Sequence, residues 1–335
     1  MPALSPSVLV NSIFDAIQQS GGSCIYTSTS IRTHPRQFFV TQLDRSFPLW
    51  VYIWTVTHGG RKTLPNEYRI QMTSVSSPLP INPDGPTVLL GYYQDLGVFA
   101  GFDLKQHKNF TVGSPSVQIS IDTINDALQQ GLAFSVKENN EIAVGIRPDQ
   151  LLNYVHSSEQ VHQYGINKPT LKLLIKASQN EPVSTTEIHA LSKSRRKIIS
   201  TVSRYSRDGN FRQQVLSAYN CRCAVTRTQL QLVDAAHILP VEVKKSIDHV
   251  SNGISLSPTI HRAFDNRLIY LDERCYMRPN PEKIAELKKV DLDSGLEQLQ
   301  SLLDKRVHLP ADRNQWPNPK FIKAANKHRR IPGYC

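Results

Sequence analysis

An α+β chain of two domains is the fold class this sequence predicts, and three observations predict it. Between about Cys24 and Val144 the apolar residues alternate or cluster in short runs of strand length. Beyond about residue 190 helical spacing takes over, broken by one strand, loop, strand, helix pattern between residues 230 and 265. Charge divides the same way. Residues 1–170 hold 11 Lys and Arg against 12 Asp and Glu, leaving 28 and 16 of the chain's 39 and 28 for residues 171–335. An excess of positive charge confined to one half points to a polyanionic partner for that half, although a solvated basic surface would look the same.

The 335 residues suffice for two cores. No run of 18 apolar residues is present and the start lacks a signal-peptide pattern, so no membrane association is expected. Five scattered cysteines make no disulfide framework, and a reducing cytoplasm is the expected location.

Residues 5–20 carry Val8, Leu9, Ile13 and Ile17 at helical spacing, stopped by Gly21-Gly22. W-V-Y-I-W-T-V-T (50–57) and E-Y-R-I-Q-M-T (67–73) read as strands joined by a polar loop. T-V-L-L-G-Y-Y (87–93) and G-V-F-A-G-F-D (97–103) make a second pair. S-V-Q-I-S-I (116–121) leads into a helix over 122–130 closed by Gly131, E-I-A-V-G-I (141–146) is a strand, and a helix starts at Pro148. This part contains no P-loop, dinucleotide fingerprint or nucleophile elbow. His58 and His107 are isolated and read as hydrogen-bonded or surface histidines. The aromatics Tyr52, Trp54, Tyr92, Tyr93, Phe99 and Phe102 are most simply core, while a pocket for an extruded base would need similar walls.

The expected organisation is an N-terminal α+β domain over 1–177 for target recognition, a linker over 178–190, and a C-terminal domain over 191–335. Ser184 and Glu187 make a capping start for a helix carrying Lys193, Arg195, Arg196, Lys197, Arg204 and Arg207. These six, with Lys244 and Lys245 farther on, are candidates for contacting phosphates. A second helix is expected over 210–220, with Phe211, Val215, Leu216 and Tyr219 on one face. Two more follow between Pro281 and Leu303, and a basic tail docks by Trp316 and Phe321.

The chemistry concentrates in D-A-A-H-I-L-P (234–240) and N-G-I-S-L-S-P-T-I-H-R-A-F-D (252–265). His237, Asn252, His261 and Asp265 stand there in apolar surroundings, separated by 15, 9 and 4 residues. A separation of four on a helix sets His261 and Asp265 on one face, where both can reach one ion. Ser257 can cap that helix and Pro258 opens it. A neutral imidazole can take a proton from water near pH 7, and a divalent cation offsets charge on a phosphodiester being cleaved. One imidazole and one carboxylate leave most of the coordination shell open, which suits Mg²⁺, or Mn²⁺ or another transition metal, better than closed structural zinc.

At these residues the chain resembles the HNH endonucleases with their ββα-metal fold, in the branch that reads A-A-H-I…N-G…H-x-x-F-D. The resemblance covers about residues 210–275. It implies that His237 is the general base, that Asn252 orients the hairpin carrying it, and that His261 and Asp265 hold the metal. Many relatives place a further ligand just before the base, where this chain has Ala236. Asp234, two residues earlier, is the nearest acidic substitute. Cys221-Arg222-Cys223 has no matching pair, so a structural zinc is not expected, and Cys223 reads as buried. Asp248-His249 lies only three residues before Asn252, too close to supply the base, and reads as a decoy. The resemblance implies a metal-dependent endonuclease of restriction or defence type acting on double-stranded DNA, plausibly as a homodimer. An N-terminal domain that reads an altered base, or a DNA-binding module without catalysis, are the alternatives.

Overall fold

A computed structural model describes residues 3–334 except 43, 44, 112, 114, 138, 140, 166, 180, 182, 185, 186, 188–190 and 231, and omits the side chains of 205, 206 and 208. The chain forms two compact units, Met1–Gly209 and Asn210–Cys335.

In the first unit, α1 (Pro6–Gln19) starts with Pro6 in its first turn, and the Ser5 hydroxyl accepts from the Val8 amide. Its buried face is Leu9, Val10, Ile13, Ala16 and Ile17. Strands β1 (Gly22–Tyr26), β2 (Arg36–Gln42) and β3 (Arg45–Thr55) follow, then β4 (Thr57–His58) and β5 (Glu67–Gln71). Next come β6 (Thr87–Tyr93), β7 (Val98–Phe102), α2 (Leu104–His107), β8 (Ser116–Ser120) and α3 (Ile121–Gln130). The series closes with β9 (Leu132–Val136), β10 (Ile142–Ile146), α4 (Leu151–Tyr164) and α5 (Lys168–Ser178). Seven strands make one sheet in the order β1-β2-β3-β6-β7-β10-β9, antiparallel except where β3 runs parallel to β6. A second sheet has the order β4-β5-β8.

Both faces of the large sheet are covered, so its central strands are apolar on alternate and on successive residues alike. On β3, Leu49, Val51 and Ile53 pack with residues of α1, α4 and α5, and with Ile198, Ile199 and Val202. Tyr52 and Trp54 point the other way, into a core shared with Ile70, Val117, Ile119 and Ile124. Tyr52, Trp54, Tyr93, Phe99 and Phe102 are therefore core residues. Gly101 lets Tyr154 approach, since a Cβ there would lie 2.4 Å from its ring.

Three expectations are revised. The segment 50–57 is not one strand. After the Val56 amide donates to the Tyr92 carbonyl, the chain turns and Thr57–His58 pairs with β5 in the smaller sheet. The helix expected to start at Pro148 runs as α4 to Tyr164, and α5 follows from Lys168. The basic helix and the helix expected over 210–220 are one, α6 (Lys193–Ala218). Gly209 does not break it. A Cβ at Gly209 would sit 1.7 Å from the Gln150 amide nitrogen, so the glycine permits close passage. The units accordingly divide at Gly209 and Asn210 inside α6, not at 178–190. Ser184 and Glu187 form the reciprocal bonds of a capping box, at 3.1 Å each way, but α6 starts only at Lys193, so they do not cap the basic helix as expected. Residues 185 and 186 between them, and 188–190, lie outside the described residues.

Acid should loosen this unit in two stages. Burial opposes charge on Glu141, yet hydrogen bonds from His107 and Lys137 hold its carboxyl at about 2. A depressed carboxyl contributes stability above its ordinary value of 4.5 that is lost as pH falls towards 2. Burial, aided by the Arg36 charge, lowers His34 from 6.5 to about 4. The unfolded chain then binds a proton that the folded one refuses, so stability also declines as pH falls from 6.5 to 4. Melting temperature measured against pH should fall through both windows. Glu141→Gln should flatten the lower one and leave the upper unchanged.

The second unit contains β11 (Asp234–His237), β12 (Gly253–Leu256), α7 (Pro258–Asp265), β13 (Ile269–Leu271) and β14 (Tyr276–Pro279). Helices α8 (Pro281–Lys288) and α9 (Leu296–Gln300), strand β15 (Lys305–Arg306) and helix α10 (Pro319–His328) complete it. Its core joins Phe211 and Val215 of α6, and Tyr219 just beyond it, to Ile254, Leu256, Ile260, Phe264, Ile269 and Ile322. Trp316 docks the tail, its indole donating to the Pro310 carbonyl with Arg306 and Arg313 over its ring. Phe321 packs against the same core. No helix among the described residues is long and apolar enough to cross a membrane.

Candidate active site

β11 and β12 pair antiparallel, with Asp234 opposite Leu256 and His237 opposite Gly253. β11 is only four residues long, and Gln231 lies outside the described residues. After Ser257 the chain enters α7 directly, with Pro258 in its first turn. Ser257 holds the capping position without a capping bond from its side chain; its hydroxyl is instead 3.8 Å from the buried Cys223 thiol. Cys221 is exposed, Cys223 is buried, and neither is in a disulfide.

Gly253 explains how the ribbon receives its helix. A Cβ there would stand 2.2 Å from Val215 and 3.0 Å from Phe211, so only glycine lets α6 lie this close. Phe211 is thereby brought under the His237 ring, stacked at 3.8 Å between centroids and 10° between planes. His237 Nε2 lies 3.0 Å from Asp248 Oδ1. Asp248, read from the sequence as a decoy, is thus in contact with the histidine. The loop after β11 folds back on it, so its short distance from Asn252 in sequence is no obstacle. His249 serves otherwise, bonding Ser251.

Asn252 is fully buried. Its Oδ1 accepts from the Leu239 amide at 2.9 Å, and its Nδ2 lies 3.2, 3.1 and 3.0 Å from Leu239 O, Ser246 Oγ and Ile247 O. Its own carbonyl accepts from Ile238. One side chain therefore closes the loop from 239 to 247.

His261 lies between two carboxylates. Its Nδ1 is 3.5 Å from Asp234 Oδ2 and its Nε2 is 3.3 Å from Asp265 Oδ2. Asp234 lies two residues before Ala236, on the same side of the strand. Arg212 holds it, donating to Asp234 Oδ1 at 3.2 Å and to the Val233 carbonyl at 3.1 Å. The bond with His261 lowers the Asp234 carboxyl from its ordinary range; burial opposes this and the Arg212 charge assists. A neutral imidazole has a single N–H, so one carboxylate must face a ring lone pair unless a cation stands between them. The donors are those Mg²⁺ or Mn²⁺ accepts alongside water and phosphate. Among the described residues no group of three or more His, Cys, Asp or Glu is placed to hold a metal ion, so His261 with Asp265 would leave most of a cation's shell to water and phosphate. The residues fit an open cation site and not a closed zinc centre.

Sequence reasoning missed Phe211 as a partner of His237, and also Arg212, Asp248 and Arg329. Arg329, at the end of α10, is buried, donates to the Ile238 carbonyl at 2.8 Å and lies over the Phe264 ring. Burial pushes its guanidinium down to about 10, with Asp265 favouring its charge. Only Asp248 carried a local signal. Of the basic candidates, Lys193, Arg195, Arg196, Lys197, Arg204 and Arg207 lie on the part of α6 within the first unit, while Lys244 and Lys245 are exposed on the loop after β11.

Residues 223–272 match the family model for HNH endonuclease, and residues 47–155 match that for methylase-associated X1. No curated protein matches the chain. A solved structure described as "Modification dependent TagI restriction endonuclease" is 12% identical over 86% of this chain and 82% of its own, with a TM-score of 0.28, too low to speak for a shared arrangement. The chain carries a methylase-associated X1 domain followed by an HNH endonuclease domain, and it is a nuclease.

Proposed function

We propose that the protein is a restriction-type endonuclease that hydrolyses phosphodiester bonds of double-stranded DNA, with His237 as general base. The observation that carries this reading is the contact of Asp234, His261 and Asp265 within the segment matching the HNH family. His237 takes the proton of the attacking water as its oxygen bonds to phosphorus, the phosphorus–oxygen ester bond breaks, and the departing oxygen takes a proton from solvent. Asn252 fixes the loop beside the base. His261 and Asp265 would hold a divalent cation, Mg²⁺ first, with Asp234 as a further ligand; bound there, it offsets negative charge on the phosphate. The eight basic residues named above would contact phosphates, and double-strand cleavage from one site per chain favours a homodimer.

Supercoiled plasmid incubated with Mg²⁺ should be nicked or linearised, and chelation should stop it. His261→Ala and Asp265→Ala should raise the Mg²⁺ concentration needed for half-maximal cleavage by about 10-fold or more. An intact plasmid under all conditions would leave a DNA-binding module without catalysis.

The methylase-associated description of the family matching residues 47–155 favours a second reading, in which that domain senses the modification state of the target. Cleavage mapping on modified and unmodified genomic DNA decides between them. Cuts confined to modified DNA support a modification-dependent enzyme, and cuts at one fixed sequence in both samples exclude it.

A further inference from the structure

We infer that Asp248 is the positioning residue of His237, holding its ring so that Nδ1 faces the attacking water; this rests on reading His237 as the general base. The carboxylate lies 3.0 Å from Nε2. A carboxylate only accepts, so the ring proton is held on Nε2 and the lone pair is left on Nδ1. Among the described residues Nδ1 has no protein partner. Phe211 sets the plane of the ring by stacking, which leaves its rotation within that plane to be fixed. Asp248 supplies that restraint.

Asp248 is itself placed for the purpose. Asn252 binds the Ile247 carbonyl and the Ser246 hydroxyl, and Ser246 donates to Leu239 at 2.8 Å, so the backbone leading into Asp248 is tied down. Among the described residues the Asp248 carboxylate has no hydrogen-bond partner except His237. A carboxylate kept for the loop's own stability would cap a helix or accept from a backbone amide. This one does neither. A base oriented by a third group is the usual way to fix the tautomer of a catalytic imidazole.

The test measures kcat and KM for plasmid cleavage by the full chain, with melting curves, for Asp248→Ala, Asp248→Asn, Asp248→Glu, His237→Ala and the His237→Ala/Asp248→Ala double variant. Asp248→Ala should lower kcat by about 10- to 100-fold with KM unchanged. Asp248→Asn, of the same shape, should also lose rate and carries the test if the alanine variant melts early. Asp248→Glu should recover part of the loss. The double variant should be no slower than His237→Ala alone, because the carboxylate acts only through the imidazole. Wild-type kcat in both Asp248→Ala and Asp248→Asn beside an inactive His237→Ala overturns this inference alone, as does a double variant slower by the product of the single losses. His237→Ala cleaving at the wild-type rate overturns it together with the reading of His237.

Discussion

His237→Ala should slow plasmid cleavage by about 10² to 10⁴-fold, the range that a positioned general base contributes, while the protein still folds and binds DNA. The two effects separate because the ring does little for the core. Its side chain is 20% exposed and its main packing is the stack on Phe211. An aromatic pair of this kind is worth about 0.5–1.5 kcal/mol, a loss the unit can absorb. Truncation also frees Asp248, which can be hydrated at a quarter exposure. Initial rates under saturating Mg²⁺, read beside a melting curve and a binding isotherm, check the point. A variant that cleaves as fast as wild type removes His237 from the chemistry, whatever its melting temperature.

How far the site could be read from the chain depends on the range of each contact. His261 and Asp265 were legible because four residues on a helix is a local relation. The ribbon was legible because N-G-I-S-L follows a loop and leads into Ser-Pro. Asp248 was visible but set aside by an argument about distance along the chain, which holds for a base and not for a partner of the base. Arg212 and Arg329 could not be found. One bonds Asp234 across 22 residues and the other bonds Ile238 across 91, and an arginine destined for burial looks like any other basic residue in a basic tail. The boundary failed for a related reason. A polar stretch rich in Ser, Thr and Pro marks a linker only if the helix after it belongs to the next core, whereas Ile198, Ile199 and Val202 pack into the core before it. The charge division that suggested a nucleic-acid partner survives this shift only in part, since six of the eight basic candidates belong to the first unit.

Asn252→Ala should destabilise the second unit by about 3–5 kcal/mol. The methyl group that remains can bond nothing, so the Leu239 amide loses its acceptor and the Ile247 carbonyl its donor, while the Leu239 carbonyl keeps only the Ser246 hydroxyl, all beside a residue with no exposure. Each buried polar group left without a partner costs about 1–3 kcal/mol. Two amide hydrogens cannot serve three acceptors fully at once, which keeps the sum below the simple total. For a unit of this size the loss corresponds to a fall in melting temperature of about 10–20 °C. Asn252→Asp separates the two ends of the amide, because it keeps the Leu239 bond while setting a charge against the carbonyls of Leu239 and Ile247. It should therefore be no milder than alanine, although it preserves shape. Calorimetry of the two variants decides this. If both melt with the wild type, the loop from 239 to 247 is held by something other than Asn252. If both fall as expected, cleavage measured well below the lowered transition should still be impaired, since the same amide anchors the backbone that carries Asp248 to His237.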